Sequence, residues 1–453
     1  LTDITVDSEG TCQSGLIQAG YATMSLDVNM TNVIVDWDNT TKSITTGAIV
    51  AGKSDKTTTL NLTMTDCNID ASGSQDATGI YTESTVKGNL ILKNTSITSY
   101  TGKDAVVDQN MKFARNTASV LSTYPAKQVQ VGDFVYNEFT EGVADANVSE
   151  EDVTIKLLSD VDIASDHLKI QNVNNKNIVW DGNGFTVNIS KAIFIYQKAG
   201  SVDVKNMIIK QSIGNPLFRI GELNGTYPTS TEEVYTVNLT DLDIDAEGPC
   251  TSGLIQAGYG SMKVAVNMKN VDFAWETTNT SAKNIIVAGA DNKTTVLDLN
   301  IEDCTFDTTN VSATKAIHAK DGVTGTITFK NSTVKTKEAD VIRLGNMDLA
   351  IDTATAFWKG ETQSVALVDG VQKSDFYAAV TLVNSATANT RMDIVNSFTH
   401  DNPNGVIINN ANGKDVLVDG HGHTADVRRA ILIYQKSGSM DIKNFDIDQT
   451  GGN

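Results

Sequence analysis

The sequence predicts an all-β chain wound as a right-handed parallel β-helix, a solenoid of ~238-residue tandem repeats that each carry a short capping helix. Three observations predict it. A long segment recurs inside the chain, a shorter period of about thirty residues runs through it, and apolar residues alternate with a period of two within each short unit.

The long repeat comes first. Residues 1–39, LTDITVDSEGTCQSGLIQAGYATMSLDVNMTNVIVDWDN, return at 239–277 as LTDLDIDAEGPCTSGLIQAGYGSMKVAVNMKNVDFAWET, with 22 of 39 positions identical. IFIYQKAGSVDVKN at 193–206 returns at 431–444 as ILIYQKSGSMDIKN, at the same offset of 238. The 453 residues hold almost two periods, and 216–238 has no second copy. If the array continues, residues beyond Asn453 are expected to resemble that segment.

The short period is marked by Asp or Asn followed by a β-branched or aromatic residue. Its anchors are Asp3, Asn32, Asp66, Asn94, Asn177, Asn206, Asp241, Asn270, Asp303, Asn331, Asp415 and Asn444. Most neighbours are 28 to 35 residues apart, and the gap from Asn94 to Asn177 has room for about three more turns of chain. Alternating runs such as Leu60-Leu62-Met64 and Val264-Val266-Met268 give each unit strands with one apolar face. One such unit cannot bury its apolar face alone, so units must stack. An immunoglobulin-like sandwich would prefer ~100-residue units, which fits this spacing less well.

One segment per period breaks the alternation. Val135–Ala146 has Val135, Phe139 and Val143 at helical spacing, and Gln372–Asn384 is its counterpart with Phe376, Tyr377, Val380 and Leu382. A short amphipathic helix there would cover an open solenoid end, where strand edges and core side chains are otherwise exposed. Read as an N-terminal cap, it divides the chain into three: 1–128 is the C-terminal part of one repeat, 129–366 a complete repeat, and 367–453 the N-terminal part of a further one.

Composition narrows the function classes. A net charge of −20 disfavours nucleic acid as a partner, because neutralising phosphates needs clustered Lys and Arg. No run of 18 apolar residues occurs, so no membrane insertion is expected. The chain opens at Leu1 without an initiator Met or a signal peptide, and reads as a processed protein or a piece of a larger one.

Ile178-Val-Trp-Asp-Gly-Asn-Gly-Phe-Thr-Val187, with Val416-Leu-Val-Asp-Gly-His-Gly-His-Thr424 in the second copy, resembles the opening of pectate-lyase-like repeat domains in large prokaryotic adhesin-like surface proteins. The resemblance extends over most of the chain and implies a parallel β-helix exposed on a cell. Gly420-His421-Gly422 is also similar to a short motif of polygalacturonases, which share that fold and use paired carboxylates. No acidic pair stands out at a matching position, and the sister copy has Gly182-Asn183-Gly184. A turn with positive φ accounts for both versions. Arg219, Arg343 and Arg391 look scattered, and the five histidines show no repeated metal-ligand spacing. No catalytic residue, cofactor site or metal site is therefore expected.

Cys12 and Cys250 correspond, as do Cys67 and Cys304. Two units of stacking separate the members of each pair by ~9–10 Å, beyond the ~7 Å a disulfide spans. All four are expected as free buried thiols. Trp37 and Trp275 also correspond and are expected to pack at strand ends. Among twelve N-x-S/T sequons, Asn39 and Asn279 fall in the same polar loop of each copy and are the candidate glycosylation sites. Asn94 and Asn331 sit at anchors, where an internal side-chain ladder accounts for them equally well.

The function expected from this is a non-enzymatic structural or adhesive rod or filament subunit, extracellular and on the cell surface. Its partners would be further repeats, whether in the same chain or associating end to end, and possible glycans. The alternatives are a carbohydrate-active β-helix protein, such as a polysaccharide lyase, hydrolase or tailspike-like depolymerase, and a carbohydrate-binding module.

Overall fold

The structure is a computed structural model. It describes residues 1–450 apart from 10–11, 13–14, 39–46, 75–76, 101–103, 108–109, 117, 122–127, 137, 165, 213, 224, 249, 251, 277–283, 312–314, 339 and 402–404. The chain is all-β, with long parallel sheets and two short helices among the described residues. Neither helix is long and apolar enough to cross a membrane. Two compact units are present, Leu1–Ala146 with Thr154–Ser159, and Asn147–Val153 with Asp160–Asn453.

In the first unit the strands from Thr2 to Leu92 pair in parallel with a strand about one short period further on. Thr2 faces Thr31, Met24 faces Thr58, and Thr58 faces Val86. A second parallel sheet is made by Ile17–Ala19, Gly47–Ala51, Thr78–Thr82 and Ala105–Val106. Alternation places Leu60, Leu62 and Met64 inside, together with Val33, Val35, Trp37 and Ile69.

The second unit repeats the scheme. Long strands Ser201–Gln211, Thr229–Ala246 and Ser261–Trp275 stack in register, followed by Thr295–Glu302, Val323–Lys330 and Asn346–Ile351. A seven-stranded parallel sheet runs from Leu168–Ile170 to Ile342–Arg343. Its inward side chains, among them Ile193, Ile195, Phe218, Ile220, Ile255 and Ile286, are fully buried.

The anchors explain themselves in backbone terms. Ten of the twelve have φ between 45° and 56°. This left-handed conformation bends the chain inside a long strand, as at Asn32, Asn206, Asp241 and Asn270, or between two strands, as at Asp66, Asn94, Asp303 and Asn331. Asn and Asp tolerate it better than other non-glycine residues. Their side chains also pair from one bend to the next. The Asn32 amide donates to Asp3 at 2.8 Å, Asn94 to Asp66 at 3.0 Å, Asn270 to Asp241 at 2.6 Å and Asn331 to Asp303 at 2.7 Å. The ladder is exposed, also at Asn94 and Asn331, where an internal one was the alternative to a glycosylation site. Asn177 and Asp415 do not hold the bend. Instead they accept from the Ser201 and Ser439 amides, at 2.8 Å each, and the bend falls six residues later, at Asn183 and His421.

The helices occupy the expected segments with shifted details. The first, α1 (Phe139–Ala146), buries Phe139, Val143 and Ala146, but Val135 lies in the strand Phe134–Tyr136 and pairs there with Gln130. This antiparallel hairpin and α1 fill part of the gap assigned to further turns of chain. The second, α2 (Phe376–Ser385), starts at Asp375, whose carboxylate accepts from the Ala378 amide at 2.7 Å. It buries Phe376, Ala379, Val380 and Val383 against Ala366, Met392, Ile394 and Val406, whereas Tyr377 points outward.

Candidate functional site

The densest charged cluster with buried carboxylates among the described residues lies where the second copy of the repeat begins. Thr390–Ile394 pairs in parallel with Val416–Asp419, and that strand pairs with Met440–Lys443. Alternation sends Met392, Ile394, Val416 and Val418 inward. It leaves Arg391, Asp393, Asp419 and Lys443 on the other face, with Asp393 opposite Asp419 and Asp419 opposite Lys443. The expectation that no acidic pair would meet here is thus corrected: the register joins two carboxylates that are 419 − 393 = 26 residues apart.

Both carboxylates are closed off from solvent, Asp393 at 1% exposure and Asp419 at 4%. The Arg391 Nε donates to both Asp393 oxygens, at 2.7 and 2.9 Å, while its Nη2 donates to the Leu349 carbonyl at 2.8 Å. His421 Nε2 lies 2.8 Å from Asp393 Oδ1. Asp419 accepts from the Asn444 amide at 3.1 Å and the His421 backbone N–H at 3.2 Å, with Lys443 Nζ at 3.3 Å. Burial works against the charge on Asp419, but Asn444, His421 and Lys443 outweigh it and hold the carboxyl below its ordinary pKa. Burial likewise opposes the Arg391 charge, and its bonds to Asp393 together with the nearby Asp419 and Asp348 keep it protonated.

Asp393, Asp419 and His421 bring potential ligand atoms within 4.8 Å of one another. A hard cation would have to share these oxygens with a guanidinium and an ammonium, so the donor set suits a salt-bridge network better than a metal. The turn that carries His421 has φ +50° there and +81° at Gly422, matched by +52° at Asn183 and +83° at Gly184. Both versions of the motif therefore build the same bend.

No family model, curated protein or solved structure matches the chain.

The cluster belongs to one copy. The hairpin register Gln130↔Lys156 is mirrored by Leu367↔Asp393, which puts Lys156 where the second copy has Asp393. Asn183 stands in place of His421, while Asp181 and Lys205 match Asp419 and Lys443. Arg391 reaches the Leu349 carbonyl on the strand Asn346–Ile351, the last long strand before the hairpin Ala366–Lys373. Gln372 adds a second tie, donating to Thr336 Oγ1 at 2.8 Å and accepting from Ser364 Oγ at 2.6 Å. These contacts tie the hairpin Ala366–Lys373 and the strand Thr390–Ile394 to the strands Thr333–Thr336 and Asn346–Ile351.

Of the residues singled out in the sequence, Asn39 and Asn279 lie outside the described residues. The four cysteines are free thiols, with Cys67, Cys250 and Cys304 buried and Cys12 half-buried. Trp37 and Trp275 are buried at the ends of their strands, and the Trp275 indole donates to the Gly248 carbonyl at 3.0 Å. Arg219 and Arg343, which looked scattered, share one outward column of the seven-stranded sheet. Only the strand register reveals this.

Burial pushes the Cys250 and Cys304 thiols up to about 11. A thiol reagent at pH 8 should therefore label Cys12 first and reach those two only after denaturant is added. Equal labelling of all four in the native protein would contradict these burials.

Proposed function

We propose that the chain is a structural and adhesive repeat protein whose strands wind as a right-handed parallel β-helix, with repeats following one another end to end on a cell surface. The observation that carries this reading is the parallel register, which continues from strand to strand through a seven-stranded sheet from Leu168–Ile170 to Ile342–Arg343, with the inward side chains of its strands buried. Strands that bury one another in this way extend by adding further units of the same kind. Heterologous stacking of that type generates rods or filaments.

In this reading the Arg391 cluster is a clasp at a repeat junction. Its carboxylates are already held by guanidinium, ammonium, imidazole and amide groups, so neither is left free to protonate a leaving group or activate water. The junction would set how one repeat follows the next.

Negative-stain imaging of the native material together with light scattering tests the proposal. Elongated rods, or filaments that lengthen with concentration, are the expected result. Compact particles of monomer mass at every concentration would overturn it.

A further inference from the structure

We propose that the outward face of the seven-stranded sheet is a binding groove for an anionic saccharide, centred on Gln256, Tyr259, His318, Lys320 and Arg343. Parallel register aligns Gln256 with Val287, His318 and Arg343 on consecutive strands, so these side chains form a single column. Two adjoining hollows of about 610 and 360 Å³ open over it, sharing Ala290, Asp291, His318 and Lys320 in their walls.

Four independent features point to a ligand. Gln256 is 6% exposed and lines the smaller hollow, and its Oε1 is buried without a hydrogen-bond partner. Such an acceptor has given up water and gained no donor in return, and a ligand hydroxyl would supply one after a small turn of the amide. Aromatic surface lies alongside: the Tyr227 and Tyr259 rings are 5.1 Å apart, and the Arg219 guanidinium sits 5.7 Å from the Tyr259 ring centre. Flat rings beside amide and guanidinium groups suit a pyranose, which offers an apolar ring face and a rim of hydroxyls. The third feature is charge. On a chain with net charge −20, Lys293, Lys320 and Arg343 converge on this hollow. Burial and the neighbouring Arg343, Lys320 and Lys315 all lower the His318 pKa, so the imidazole is a neutral hydrogen-bonding group near pH 7 in a positive local field. Asp291 and Asp321 pair with Lys320 and Arg343 at 3.1 and 2.8 Å, and orient both cations along the groove.

The fourth feature is an internal comparison. In the first unit the equivalent column is Gln18, Val50, Tyr81 and Val106. The Gln and Tyr platform is present in both copies, as Gln18 with Tyr21 and Gln256 with Tyr259. Lys56 matches Lys293, and Lys53 lies 4.5 Å from the Tyr21 ring centre. The remaining cations are not shared, because Tyr81 and Glu83 stand where the second unit has His318 and Lys320, and Val106 pairs with Tyr81 as Arg343 pairs with His318. A surface shaped only by stacking has no reason to exchange these residues as a set. A carboxylated or sulfated ligand at one copy supplies that reason. The groove needs only the strand register, so its failure would leave the end-to-end reading standing.

Calorimetric titration of the full chain with an alginate hexasaccharide and with neutral maltohexaose tests the proposal. Binding of the alginate probe is expected, weakening as salt is raised, with at least tenfold weaker binding of maltohexaose. Arg343→Val and Lys320→Glu, which copy the first unit, should each reduce alginate affinity about tenfold with unchanged melting temperature. Gln256→Ala should weaken both sugars. Absence of binding, equal affinity for the two sugars, or full affinity in both charge variants would overturn the proposal. So would equal competition by a poly-glutamate peptide, which carries charge without a sugar ring.

Discussion

Replacing Arg391 by Met is expected to destabilise the 366–450 region by about 3–5 kcal/mol, the cost of leaving a buried carboxylate without its partner. Asp393 is 1% exposed and takes both of its Arg391 bonds through the Nε. Met would fill the stem volume but satisfy neither oxygen, and the Leu349 carbonyl would lose its donor as well. Hydrogen exchange on peptides covering 390–427 is the right measurement, since a chain with two compact units need not unfold in one step. Faster exchange there, with 1–121 unchanged, is the expected pattern. The double variant Arg391→Met with Asp393→Leu should recover most of the loss, because an apolar pair replaces a paired charge at little cost. If the single variant exchanged like the parent, the clasp would contribute nothing. The pH dependence follows from Asp419, whose folded pKa is lowered. Its contribution is complete above the unfolded pKa, about 3.9, and is lost as pH falls through the lower folded value. Protection of 416–427 should therefore persist at pH 5 and fail in stronger acid.

Phe306→Ala should cost about 3–5 kcal/mol, the usual penalty for emptying a fully buried aromatic site. Phe306 has no exposed surface and stands edge-on to Phe273 at 5.2 Å, on the neighbouring strand. If the strands stack as proposed, each contacts only the ones directly before and after it. The loss should then appear as faster exchange in 261–275, 295–308 and 323–336, fading with distance along the stack. Phe306→Leu should lose far less, because it keeps most of the volume. Uniform destabilisation of the whole chain would argue against nearest-neighbour stacking.

Much of the fold was legible because its requirements are local. A left-handed bend selects Asn or Asp at the same place in each thirty-residue unit, as at Asp3, Asn32, Asp66 and Asn94. A one-sided strand selects alternation, as at Leu60, Leu62 and Met64. What the sequence left unread depends on register between distant segments. Asp393 and Asp419 meet only because Met392 lies opposite Val418, and the polar segment before Asp393 offers no pattern from which to count. The same holds for Gln256, His318 and Arg343, since loops of unequal length separate their strands. Asn177 and Asp415 were misplaced for a subtler reason. Their side chains fix the next segment's backbone through Ser201 and Ser439, a role that favours the same residue types as the bend itself.

The four free thiols have a mechanical consequence. Among the described residues no disulfide bridges the chain to itself, so ties between neighbouring segments can open under load and close again. Pulled along its length, the proposed solenoid would pay out one winding at a time. Each winding of about thirty residues would release roughly 100 Å of slack, letting a tether absorb a sudden tug without breaking a bond.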